Sequence, residues 1–128
     1  MNNFSDSTPI ATQEQYRTAL LAVRQRMTDV QLKMLQAHCR SAEHMTSMDR
    51  LAELLSLPSW SGARTAYRNY ASFIAGELKF TPGTVSNKPV WLCAIAYGQP
   101  DATSKLDGKF EWILRPELVQ ALQAMKWV

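Results

Sequence analysis

The stretch Thr46-Ser47-Met48-Asp49-Arg50-Leu51-Ala52-Glu53-Leu54-Leu55, followed beyond Leu57-Pro58 by Ser59-Trp60-Ser61-Gly62-Ala63-Arg64-Thr65-Ala66-Tyr67-Arg68-Asn69-Tyr70, decides how this chain reads. Thr46 or Ser47 can cap a short helix whose Leu51, Leu54 and Leu55 face inward. Pro58 stops the chain, and Ser59 or Ser61 is a good N-cap for a long helix reaching about Lys79. On that helix Ala63, Ala66, Tyr67, Tyr70, Ile74 and Leu78 form an apolar stripe, with Arg64, Thr65, Arg68, Asn69 and Ser72 on the other side. Two capped helices joined by a tight turn are the layout of a helix-turn-helix, whose second helix can enter the DNA major groove.

Working outward, residues 1–10 read as a disordered polar leader and residues 11–128 as one domain. Thr12 can cap a helix in which Tyr16, Leu20, Val23 and Met27 repeat at helical spacing. Thr28-Asp29-Val30-Gln31 is a capping box that starts a second helix, with Val30, Leu32, Met34, Leu35 and Cys39 on its apolar side. The spacing leaves open whether these two helices are continuous or kinked near Thr28. Residues 41–45 read as a polar connector.

Beyond the long helix, Thr81-Pro82-Gly83 and Ser86-Asn87-Lys88-Pro89 read as loop, and residues 90–97, rich in Val, Trp, Ile and Tyr, as a strand. Phe110, Trp112 and Leu114 alternate with Lys109, Glu111 and Ile113 as a second strand, which makes the pair a hairpin of the kind that forms a wing. Pro116 suits the first turn of a last helix, with Leu118, Val119 and Leu122 packing inward. The expected fold is therefore α+β and mostly helical. It is a winged helix-turn-helix-like domain with an extra N-terminal helix and a C-terminal two-stranded hairpin plus helix.

At 128 residues and 46% hydrophobic, the chain can bury a real core. Its net charge of +3 permits a polyanionic partner without demanding one. Between Trp60 and Phe80, however, Arg64, Arg68 and Lys79 face only Glu77, so the excess lies where a groove-reading helix would want it. Cys39 and Cys93 belong to no C-x-x-C pair and read as reduced thiols of a cytoplasmic protein. The N-terminus lacks the basic-then-apolar order of a signal peptide. The apolar run at 90–97 falls far short of the roughly 20 residues that span a bilayer, so no membrane is expected.

Arg64, Thr65, Arg68 and Asn69, at i, i+1, i+4 and i+5, share a helix side that can reach a groove together. Arginine suits guanine edges and phosphates, asparagine suits adenine, and hydroxyls such as Ser61 serve phosphates. Trp60, at the helix start, is a further contact candidate, and Lys105 and Lys109 in the hairpin loop could lie along the phosphate backbone. The plain alternative for each is a solvated surface. His38 and His44 bracket Cys39 but lack the ligand set zinc requires, so no metal or other cofactor is expected. The chain carries no glycine-rich phosphate loop, H-E-x-x-H, G-x-S-x-G or nucleophile-base pair, so it reads as a non-enzyme.

Four further segments carry a resemblance: 32–38 (LKMLQAH), 51–55 (LAELL), Ser61-Gly62-Ala63, and 112–122 (WILRPELVQAL). Their order resembles a small bacterial domain often attached to HNH-type endonucleases of restriction-like systems. The resemblance implies a winged-helix-like accessory domain that binds DNA for a nuclease. It carries no catalytic residue, because both histidines of this chain precede residue 45. The leading expectation is thus a non-catalytic module for double-stranded DNA, accessory to a nuclease or acting as a transcriptional regulator. Its rival is a protein-protein interaction module on the same scaffold, docking a partner or forming a homodimer through Tyr16, Leu20 and Val23.

Overall fold

A computed structural model describes residues 4–99 and 106–128. Helix α1 (Gln13–Val23) opens on a reciprocal cap: Thr12 Oγ1 accepts from the Gln15 main-chain N–H at 3.1 Å, and Gln15 Oε1 from that of Thr12 at 2.8 Å. The same box between Thr28 and Gln31 opens α2 (Asp29–Arg40). Between them lie a 3-10 turn at Arg24–Arg26 and an extended Met27, so the chain has two helices here and not one bent helix. Tyr16, Ala19, Leu20 and Val23 are buried, with α1 packed on the helices at Trp60–Leu78 and Pro116–Ala124. In α2, Met34, Leu35 and Cys39 are buried as the pattern predicts. Val30, expected on that side, is exposed, and Gln31 and His38 are buried instead.

The polar connector turns through a 3-10 segment at Ala42–His44 into β1 (Met45–Thr46). Ser47 then caps α3 (Met48–Leu54), its Oγ accepting from Arg50 N–H at 3.3 Å. The buried stripe of α3 is Met48, Leu51 and Ala52; Leu54, expected inside, is 65% exposed. The stripe runs at i, i+3 and i+4 from Met48, and Leu54 falls off it. Ser59 caps α4 (Trp60–Leu78), accepting from Gly62 N–H at 3.2 Å. Helix α5 (Pro116–Ala124) has Pro116 in its first turn. All three of these helices stop on a left-handed residue, Ser56, Lys79 and Lys126, each followed by an N–H that reaches back five residues.

The strands are short. After α4, β2 (Thr84–Val85) and β3 (Lys88–Pro89) form a small hairpin around Ser86 and Asn87, both at positive φ, the turn type such two-residue loops favour. β4 (Ala96–Gly98) and β5 (Trp112–Leu114) form the expected antiparallel hairpin, with Gly98 opposite Trp112. β1 pairs with the other edge of β5, Thr46 opposite Trp112, giving the order β1-β5-β4. The strand expected over residues 90–97 begins only at Ala96. Trp91–Ala94 form a 3-10 turn against α4, and the consecutive residues 92–96 are all buried, so their apolar run reflects enclosure and not a pleat.

Residues 4–10, expected as disordered leader, have a defined place. Phe4 is buried, meets Phe110 edge-on at 5.4 Å between ring centroids, and its carbonyl accepts from Gly98 N–H. Residues 1–3 lie outside the described residues.

The base of the β4–β5 loop is fixed to the helix pair. Gly108 C=O accepts from Asp49 N–H at 2.9 Å, and a Cβ on Gly108 would stand 2.4 Å from Asp49 Oδ1 and 2.6 Å from Trp60 Cγ. Gly108→Ala is therefore expected to cost about 1–3 kcal/mol by overpacking, read as a lower urea midpoint at unchanged slope.

Candidate functional site

The polar side of α4 divides in two. Ser61, Thr65 and Asn69 are exposed, whereas Arg64 and Arg68, one position further round, are half-buried. Thr65 Oγ1 donates to the Ser61 carbonyl at 3.0 Å, and Ser61 Oγ lies 3.1 Å from that of Ser59. The four residues expected to act together thus occupy adjoining strips, with only Thr65 and Asn69 fully outward. Trp60 does not project as a free contact. It is half-buried beside Gly108, with the Arg64 guanidinium 5.0 Å from its ring centroid, so it braces the loop base and orients that arginine.

Arg64 and Arg68 line a cleft of about 270 Å³ closed by the β2–β3 hairpin, the 3-10 turn and the loop base. Lys88, Trp91, Trp112 and Asp107 also line it, so among the described residues three cations face one carboxylate. None of the three has an ion-pair partner among the described residues. By contrast Arg50 holds Glu111 through two contacts of 2.9 Å, tying α3 to the second hairpin strand. Arg64 Nε is shielded from solvent with no hydrogen-bond partner among the described residues. Asp107 is partly committed, its Oδ1 accepting from Lys109 N–H at 2.9 Å. Lys109 is exposed at the loop base, and Lys105 lies outside the described residues.

In the sequence Lys88 reads only as loop and Trp91 only as a packing residue of a strand, so neither is a candidate site residue there. The available signal was Ser86-Asn87, a pair that accepts positive φ and so can turn a hairpin that brings Lys88 back toward α4.

His38 is structural. Its Nε2 stands 2.9 Å from the Trp112 carbonyl, which can only accept, so Nε2 carries the proton and Nδ1 accepts from Tyr67 O–H at 2.8 Å. Burial, opposed by the bond to Trp112, lowers its pKa to about 4, and the ring is neutral near pH 7. His44 Nδ1 donates to the Cys39 carbonyl. No group of three or more His, Cys, Asp or Glu side chains among the described residues could hold a metal ion. Cys39 and Cys93 are buried and free, and burial pushes the Cys93 thiol up to about 11.

Buried Arg115 gives its guanidinium to main chain, Nε to the Cys93 carbonyl at 2.9 Å and Nη1 to that of Thr8 at 3.0 Å, and so secures the N-terminal segment to the start of α5. Tyr16, Leu20 and Val23 are fully buried within the chain, with Tyr16 O–H donating to the Ala94 carbonyl at 2.7 Å. They are not available to join a second copy. No helix among the described residues is long and apolar enough to cross a membrane. The chain matches no family model, no curated protein and no solved structure.

Proposed function

We propose that this chain is a winged helix-turn-helix module that binds double-stranded DNA without chemistry of its own. Helix α4 faces the groove and the β4–β5 loop is the wing. The observation that carries the reading is the convergence of three elements on one cationic cleft: Arg64 and Arg68 from α4, Lys88 from the β2–β3 hairpin, and the base of the loop. The sheet order β1-β5-β4 supports it, because the strand ahead of the helix pair joins the hairpin behind it and sets the loop base against α3 and α4. In this reading Ser61, Thr65 and Asn69 meet the groove, while Arg64, Arg68, Lys88 and Lys109 neutralise phosphates. A role beside a nuclease, or as a regulator, in a reducing cytoplasm fits the two free buried thiols and the resemblance above. A protein-docking reading has less behind it, since the exposed Leu21, Val30 and Leu54 lie on three different helices.

The test is fluorescence anisotropy of a labelled random-sequence duplex at 50 and 200 mM salt. Four phosphate contacts give a salt slope of roughly −3.6, so affinity is expected to fall about 100-fold between the two conditions. Absence of binding at the lower salt overturns the DNA reading.

A further inference from the structure

We infer that the cleft between α4 and the β2–β3 hairpin binds a small planar aromatic compound carrying one anionic group. Its volume, about 270 Å³, lies just under the roughly 300–1,000 Å³ of pockets for drug-sized ligands and suits one ring system with its substituent. Half-buried Trp91 and Leu106 line the cleft, and Trp112 and Met48, both buried, complete an apolar and aromatic wall. Arg64, Arg68 and Lys88 stand at the same cleft with Asp107 as the sole opposing charge among the described residues, and Asp107 has one oxygen engaged by Lys109 N–H. A cation is repelled there, and a wholly apolar ligand would bury the arginines against hydrocarbon.

The unsatisfied Arg64 Nε sharpens the choice. A shielded N–H on a cationic side chain with no acceptor among the described residues is a standing cost that a bound carboxylate or phosphate oxygen removes. The stack on Trp60 already holds that guanidinium, so little order is lost on binding. The inference rests on the geometry of the site proposed for DNA but not on DNA binding itself. Because Arg64 and Arg68 serve both, an occupied cleft withdraws two charges from a duplex.

The experiment is isothermal titration calorimetry of the DNA-free protein with benzoate and with adenosine 5′-monophosphate, using acetate and inorganic phosphate as ring-free controls. One aromatic anion is expected to saturate with a Kd of about 1 mM or tighter. Saturation by benzoate identifies aromatic carboxylates as the class, and saturation by the monophosphate identifies nucleotides. The ring-free partner should bind at least about tenfold more weakly, and Arg68→Gln should cost a similar factor. Lys88→Gln, on the exposed hairpin, gives the same comparison if the helix variant is less stable. The inference is overturned if neither aromatic saturates by about 10 mM, if the ring-free anions bind equally well, or if both variants bind as the parent does. None of these outcomes alters the duplex titration, so the two readings fail separately.

Discussion

A His38→Ala variant is expected to lose about 3–5 kcal/mol of folding stability, through a cavity and two orphaned polar groups. The ring joins three elements: α2 through its own backbone, α4 through Tyr67 O–H, and β5 through the Trp112 carbonyl. Removing it strands the phenol and the carbonyl in the core, where Tyr67 is fully buried and its pKa is held well above 10 by that burial. The same residue sets an acid response. His38 titrates near 6.5 in the unfolded chain and near 4 in the folded one, so within that window the unfolded state binds more protons. Its contribution is complete above pH 6.5, declines as the pH falls through the window, and is gone below about 4. The loss amounts to about 2–4 kcal/mol at 1.36 kcal/mol per unit. Urea denaturation of parent and variant at steps from neutral pH to pH 4 reads both effects. A parent curve flat across the window, or an equal slope in the variant, would contradict this account of the histidine.

His38 also shows what was legible in the sequence and what was not. Local chemistry could be read: the Thr12 cap, the Thr28–Gln31 box, the Ser59 cap, Pro116 in its first turn and the β5 strand stand where the residues put them. Each depends on residues a few positions apart, or on alternation along a strand. The partners of His38 lie 29 and 74 positions away, so its burial leaves no local trace beyond a polar residue on an apolar side. β1 is two residues long and exists because β5 offers a free edge, which no pattern inside residues 41–46 announces. The 90–97 run misled for a related reason, since enclosure on all sides removes the alternation that separates a strand from a turn. The candidate site shared this fate. Arg64 and Arg68 could be read from helix spacing, whereas their half-burial and the arrival of Lys88 and Trp91 depend on how the second hairpin folds back on α4.

Reversing Arg64 and Arg68 together to glutamate is expected to weaken duplex binding by at least about 100-fold at low salt and to halve the salt slope, from roughly −3.6 to roughly −1.8. Two phosphate contacts are lost, and two negative charges join Asp107 in the same cleft. The fold should survive, because neither arginine has an ion pair among the described residues and both are only half-buried. The Arg64–Trp60 stack is the main interaction forfeited, worth about 0.5–1 kcal/mol at a partly exposed position. A circular dichroism melt of the variant therefore separates loss of binding from loss of structure. Thr65→Ala with Asn69→Ala provides the complementary arm. These exposed side chains would touch base edges, so their removal should flatten discrimination between duplex sequences while leaving the salt slope near that of the parent. Should the charge-reversed protein bind as tightly as the parent, phosphate attraction must come from another surface, and α4 would be a packing helix whose arginines serve the cleft alone.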